Sequence, residues 1–290
     1  MKKKVTTIIF SILFLAGLSL LLYPFISNQW NNYRQSKLIT TYEETVAAMQ
    51  ESGGIDYQAE WERAYAYNDA LIPYILPDSF AAAEAQLPEG GDKAYLDCLN
   101  LADDGMMGYV EIPKINVKLP IFHTTEEDVL QRGAGHLAGS SLPVGGAGTH
   151  AVISAHRGLP SAALFTDLDR LEEGDYFLLS ILDDMLCYRV EKISVVEPSD
   201  TSTLEAQEGR DLVTLLTCTP YGVNSHRLLV QGSRVEYQDF QEEGPVSVLV
   251  GPSLHTSYLL WVVVGLAITG AFIFVLYLYD RKWKKKHEIR

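Results

Sequence analysis

Cysteine is scarce in this chain, with three among 290 residues: Cys98, Cys187 and Cys218. An extracellular scaffold stapled by disulfides uses more, in even number, so stability has to come from a buried core, and at least one thiol stays unpaired within the chain. A Cys98–Cys187 bridge stays open at this level. Otherwise Cys187, in the strand-like "MLCYRV", reads as a small buried hydrophobe, and Cys98 as similar or partly exposed. Paired metal-ligand spacings are missing: there is no Cys-x2-Cys or His-x3-His, which argues against a zinc site on Cys218, His226 and a further histidine. Positive charge is scarce as well, with 23 Lys and Arg against 37 Asp and Glu and a net charge of −14. Such a surface excludes nucleic-acid binding through phosphates. It suits solubility, or attraction of a basic substrate or an amine donor. Internal repeats and low-complexity tracts are also lacking.

Two apolar runs stand out against this acidic background. Residues 5–23 and 258–279 carry no charge, and at about 1.5 Å per residue each crosses a hydrocarbon core of roughly 30 Å as a helix. Lys2, Lys3 and Lys4 before the first run also fit a signal peptide, but the run is long and no A-x-A-like cleavage site follows in "YPFISNQW", which favours an uncleaved anchor. The second run has Trp261, Tyr277 and Tyr279 near its ends and the basic stop "DRKWKKKHEIR" behind it. Because both tails, 1–4 and 280–290, are basic, the positive-inside rule puts both termini in the cytoplasm and the intervening chain outside the cell membrane.

Between the anchors, residues 24–70 have helical apolar spacing interrupted by "SGG" at 52–54, the pattern of a two-helix stalk or cover. Residues 71–93 are dense in Pro, Gly and small residues and read as a long surface loop. From 94 to 239 the texture is that of short β-branched and aromatic runs, "MGYVEIPKINVKLPIF", "THAVISAH", "DYFLLSI", "LCYRVEKISVVEP", "DLVTLLTC" and "HRLLVQGSRVEY", separated by turn residues. That pattern predicts a mainly β domain, an antiparallel or mixed barrel, with a helical interlude at 161–171. Residues 240–257 read as a polar spacer.

The chemistry concentrates where "DLVTLLTC" ends. A cysteine at a strand's C-terminal end, before "TPYG", presents its thiol at a rim, and a nearby cation or base raises the nucleophilic thiolate fraction. His226 and Arg227 open the next strand, and because adjacent strand residues point to opposite faces, only one of them faces Cys218. An arginine there offers a permanently charged fork of donors for a carbonyl or its oxyanion. Among candidate bases, His150 and His156 lie about 20 Å apart along one strand at about 3.3 Å per residue, so one site takes only one of them. The "HRGLP" turn exposes His156 as "TCTP" exposes the thiol.

"TLLTC" matches the Thr-Leu-x-Thr-Cys signature of sortases. "LPVGGAGTHAVISAHRGLPSAALFTDLDRL", "GYVEIPKINVKLPIF" and "TCTPYGVNSHRLLVQG" resemble the pilus-assembling class C branch, and the similarity runs from about Met107 to Val235. The resemblance implies a closed sortase-type β-barrel and a transpeptidase in which His156, Cys218 and Arg227 hold the catalytic positions, while His150 and His226 fall outside. It implies cleavage of an LPXTG-like sorting signal after Thr, a thioester on Cys218, and transfer to a pilin lysine, polymerising pilus subunits. Attachment of single surface proteins to peptidoglycan is the alternative within the family, and a catalytically silent binding module the alternative outside it. No cofactor or metal is implied, since amide exchange through a thioester needs neither. Class C enzymes cover the site with an Asp-Pro-aromatic lid. In "ILPDSFAAA" Asp78 and Phe80 match its first and third positions, while Ser79 replaces the proline that fixes φ, which implies a looser cover. Leu215, Leu216, Thr217, Thr219, Pro220 and Tyr221 are expected to line the substrate groove.

Overall fold

A computed structural model of the chain describes residues 2–53, 56–71, 76–80, 92–237, 240, 262–267, 269–271, 274 and 278. By their contacts the residues form two units, Met1–Phe25 with Gly251–Arg290, and Ile26–Val250. In the first unit the helix α1 (Lys2–Ser52) begins with the apolar run. By length and composition α1 is the one helix among the described residues able to cross a membrane. The described residues of the second apolar run, 262–267, 269–271, 274 and 278, are helical. The rest of that run, the basic tail from 280 and nearly all of the predicted spacer lie outside the described residues, as do 72–75 and 81–91 of the predicted lid loop.

The second unit is a closed barrel. Its strands are β1 (Met106–Ile112), β2 (Val117–His123), β3 (Ala134–His136), β4 (Thr149–Ser154), β5 (Tyr176–Ile181), β6 (Asp184–Val196), β7 (Asp211–Thr219) and β8 (His226–Val235). They run in the order β1-β2-β3-β4-β7-β8-β6-β5, and β5 pairs with β1 to close the ring. The sheet is mixed, since β2/β3 and β4/β7 are parallel and the other neighbours antiparallel. Period-2 alternation sends Val110, Ile112, Leu119, Ile121, Leu179, Val213, Leu215, Leu228 and Val230 into one core cluster. Gly232 is required there, because a Cβ would lie 2.6 Å from the Phe177 ring, which stacks on Tyr188.

Helices sit outside the barrel. The predicted break at "SGG" separates α1 from α2 (Tyr57–Ala70), whose first turn is capped by Asp56 accepting from the Ala59 amide. On α1, Ile39, Tyr42 and Val46 recur at helical spacing and pack on Met106, Tyr109, Phe122 and Val129. The Tyr42 hydroxyl accepts from the Leu182 amide at 2.8 Å and donates to the Met107 carbonyl at 3.1 Å. Two short helices, α3 (Lys93–Asp97) and α4 (Glu127–Leu130), have no counterpart in the sequence reading. The helix expected over 161–171 is replaced by turns and a single 3-10 turn at Leu168–Arg170. Leu164 there has φ 44°, and the Thr166 carbonyl accepts from the Arg157 side chain. Both features stop a regular helix from running through.

Candidate active site

The β7–β8 hairpin brings the thiol and one cation together. Cys218 and Arg227 are direct cross-strand partners, and Thr219 faces His226, so the side chains of Cys218 and Arg227 share one face with Cβ atoms about 5 Å apart. Leu216 and Leu229 extend that face, while Leu215, Leu228 and Val230 point into the barrel. His226 turns elsewhere and contacts the Ser225 hydroxyl through Nδ1 at 2.9 Å.

His156 arrives from the other side, on the continuation of β4. The parallel register runs Ser154 opposite Leu216, and beyond the strand end the Ala155 amide donates to the Leu216 carbonyl at 3.1 Å. The Thr217 hydroxyl donates to the Ala155 carbonyl at 2.7 Å, and an Arg157 guanidinium nitrogen donates to the Thr219 hydroxyl at 3.0 Å. With 155 tied to 216 and 217, and 157 tied to 219, His156 sits beside Cys218. Arg157, which the sequence reading overlooked, is buried and also pairs with Asp169, which fixes the turn that carries the histidine. His150 is a structural residue: its Nδ1 lies 3.0 Å from the Glu205 carbonyl and its Nε2 2.8 Å from the Thr214 hydroxyl.

Residues 76–80 cover this face. Asp78 accepts from Nε and one terminal nitrogen of Arg227, both at 2.7 Å, a bidentate pair. The other terminal nitrogen donates to the carbonyls of Asn224 and His226, so the whole fork is occupied. The Phe80 ring bridges the site, 5.4 Å from the His156 ring and 5.2 Å from Arg227 Cζ. Leu76 and Phe80 rest on an apolar seat of Leu137, Val152, Leu204, Leu216 and Leu229. Beside them a shallow cleft runs between Pro77–Ser79 and Val196–Leu204. Under this cover Cys218 is only 7% exposed. Burial pushes its thiol pKa up, Arg227 pulls it down and Asp78 pushes it up again. The same Asp78 bonds hold Arg227 still more firmly protonated.

The predicted groove residues divide by strand alternation. Leu216 lines the cleft, but Leu215 is packed in the core and Thr217 is spent on the Ala155 carbonyl, so those two do not face a substrate. Thr219 is half-buried, and Pro220 and Tyr221 are exposed. Tyr221 leans on Gly158, where a Cβ would come within 3.0 Å of its ring. Cys98 and Cys187 are both buried and no disulfide joins them, so the bridge left open by the sequence does not form. Among the described residues no three His, Cys, Asp or Glu side chains converge as a metal site. A carboxylate without any sequence signal also reaches the site: Glu127 Oε2 lies 3.4 Å from His156 Nε2.

A family profile described as the sortase domain matches residues 110–235. A crystal structure of Streptococcus pneumoniae sortase C is 44% identical, with TM-score 0.61, over 69% of this chain and 97% of that one. Sortase C1 from Streptococcus agalactiae matches at 44% identity and TM-score 0.61, over 69% and 98% of the two chains. Among curated proteins, sortase D of Bacillus subtilis is 34% identical over 131 residues, which cover 44% of this chain and 63% of that protein.

Proposed function

The chain belongs to the sortase family of cysteine transpeptidases, and from that premise we propose that it polymerises pilin subunits at the outer face of a cell membrane. The substrate is an LPXTG-like sorting signal. Cys218 Sγ attacks the Thr carbonyl carbon and its proton passes to His156; the resulting oxyanion is held by the Arg227 fork. Collapse breaks the C–N bond, His156 returns the proton to the leaving amine, and a thioester remains on Cys218. A pilin lysine then attacks the thioester, leaving an isopeptide bond and a free thiol. The apolar start of α1 serves as membrane anchor, with both termini cytoplasmic and the barrel outside.

The observation that carries the reading is the cross-strand pair Cys218–Arg227 capped by Asp78. Arg227 cannot serve an oxyanion while Asp78 holds its Nε and one terminal nitrogen and the Asn224 and His226 carbonyls hold the other. The segment 76–80 therefore acts as a lid that has to leave before acylation, and Asp78 and Phe80 are its plug. The likeness to sortases C, one of whose structures is described in terms of pilin substrate specificity, supports polymerisation over attachment of single proteins. The test incubates the full chain in detergent with a sorting-signal peptide and maps the mass of the Cys218 peptide. An acyl adduct that a lysine-bearing pilin converts into high-mass ladders supports the proposal. An adduct resolved only by peptidoglycan amines points to wall attachment, and no adduct with wild-type protein refutes the reading.

A further inference from the structure

Glu127 stands in the first turn of α4, a helix of one turn that nothing in the reaction yet uses. Its mates Val129 and Leu130 are buried, and the helix end is tied to α1, because Gln35, itself only 5% exposed, donates to the Arg132 carbonyl at 3.1 Å. Gly133 follows with no room for a Cβ, which would lie 2.7 Å from the Pro120 carbonyl oxygen. The carboxylate is steered as well: Gln131 donates to Oε1 at 2.9 Å, which leaves Oε2 aimed at His156 Nε2, 3.4 Å away. That nitrogen is buried, and no hydrogen bond reaches it among the described residues. The contact has the separation of an ion pair without hydrogen-bond alignment, and the Phe80 ring of the lid packs on the same imidazole.

We propose that Glu127 is a positioning residue for His156: once Phe80 leaves, its carboxylate accepts a hydrogen bond from Nε2–H, which fixes the tautomer and stabilises the imidazolium. Nδ1 is then the nitrogen that takes the Cys218 proton on attack and gives it to the leaving amine as the C–N bond breaks. The scheme is the usual one for an orienting acid behind a histidine, and it rests on the transpeptidase reading above. Because Glu127 is two-thirds exposed, its effect is screened. About fivefold is expected, which is about 1 kcal/mol at 1.36 kcal/mol per tenfold.

The test uses the full chain in detergent, in a Phe80→Ala background so that lid opening does not mask the step. Two readouts are compared for Glu127, Glu127→Gln and Glu127→Asp: iodoacetamide alkylation of Cys218 mapped by mass spectrometry, and kcat and KM for a sorting-signal peptide. The expected result for Glu127→Gln is alkylation and kcat each about fivefold lower with KM unchanged, largely restored in Glu127→Asp. Alkylation and kcat both within twofold of the parent overturn the proposal. Equal losses in Gln and Asp variants together with a lowered Tm also overturn it, since that is the mark of a structural role. Alkylation needs no transpeptidation, so a chain that alkylates at Cys218 but never acylates sinks the functional reading while still deciding the role of Glu127.

Discussion

Removing one carboxylate should open the site. Asp78 and Arg227 retain 18% and 10% of their side-chain exposure, so their bidentate bond lies between a surface ion pair and a buried one. Pairs of that kind contribute about 2 kcal/mol after solvent screening. At about 1.4 kcal/mol per tenfold, losing it in Asp78→Ala raises the open fraction of the lid about 30-fold. When opening and closing are fast relative to labelling, the rate of Cys218 alkylation rises by the same factor. A second effect has the same sign, because Asp78 pushes the thiol pKa up and its loss increases the thiolate fraction at fixed pH. Asp78→Asn separates the two: it keeps the shape and removes the charge, and the midpoint of its alkylation-versus-pH curve moves down. The assay is iodoacetamide labelling with peptide mapping. Cys98 is an internal silent reference, since burial pushes its thiol up to about 11. Labelling of Asp78→Ala within threefold of wild type would refute the argument that this pair holds the lid.

Other consequences follow from the same geometry. Arg227→Lys keeps the charge but loses the planar fork, so acylation kcat is expected to fall by about 10² or more with folding intact, measured by peptide turnover and thermal melting. Lys114 is buried and donates to Asp175 at 2.7 Å, and Asp175 is equally enclosed. Lys114→Ala leaves that carboxylate with the Glu172 amide but no cation and should cost about 3 kcal/mol in a denaturant titration, whereas an unchanged midpoint would show the pair to be dispensable. His136 is fully buried, its Nδ1 accepting from the Tyr95 hydroxyl and its Nε2 donating to the Ser141 carbonyl, and burial lowers its pKa to about 4. The unfolded chain therefore binds more protons between the ordinary histidine value and pH 4. Stability is intact above pH 6.5 and about 3 kcal/mol of it is lost as pH falls towards 4, a slope that His136→Gln should flatten.

Much of the hairpin that bears the thiol was legible in the residues. "TLLTC" and "HRLLV" alternate with period 2, a short turn joins them, and alternation alone says that only one of His226 and Arg227 shares a face with Cys218. The same rule, applied one step further, would have removed Leu215 and Thr217 from the groove. Closeness in sequence to Cys218 does not put a residue on its face of the strand, and Leu215 and Thr217 point the other way. The helix expected at 161–171 failed for a tertiary reason, since Arg157 takes the Thr166 carbonyl that such a helix would use.

By itself the sequence determined the apolar ends, the strand-rich middle, and that one of His226 and Arg227 shares a face with Cys218, because these depend on local periodicity and a short connection. Tertiary structure alone decided that β4 lies parallel to β7, which sets His156 beside the thiol, that Asp78 grips an arginine 149 residues away, and that Glu127 reaches the imidazole. Those contacts join segments with no shared local pattern. They exist only because the closed barrel and the helices packed on it bring distant chain ends to one rim.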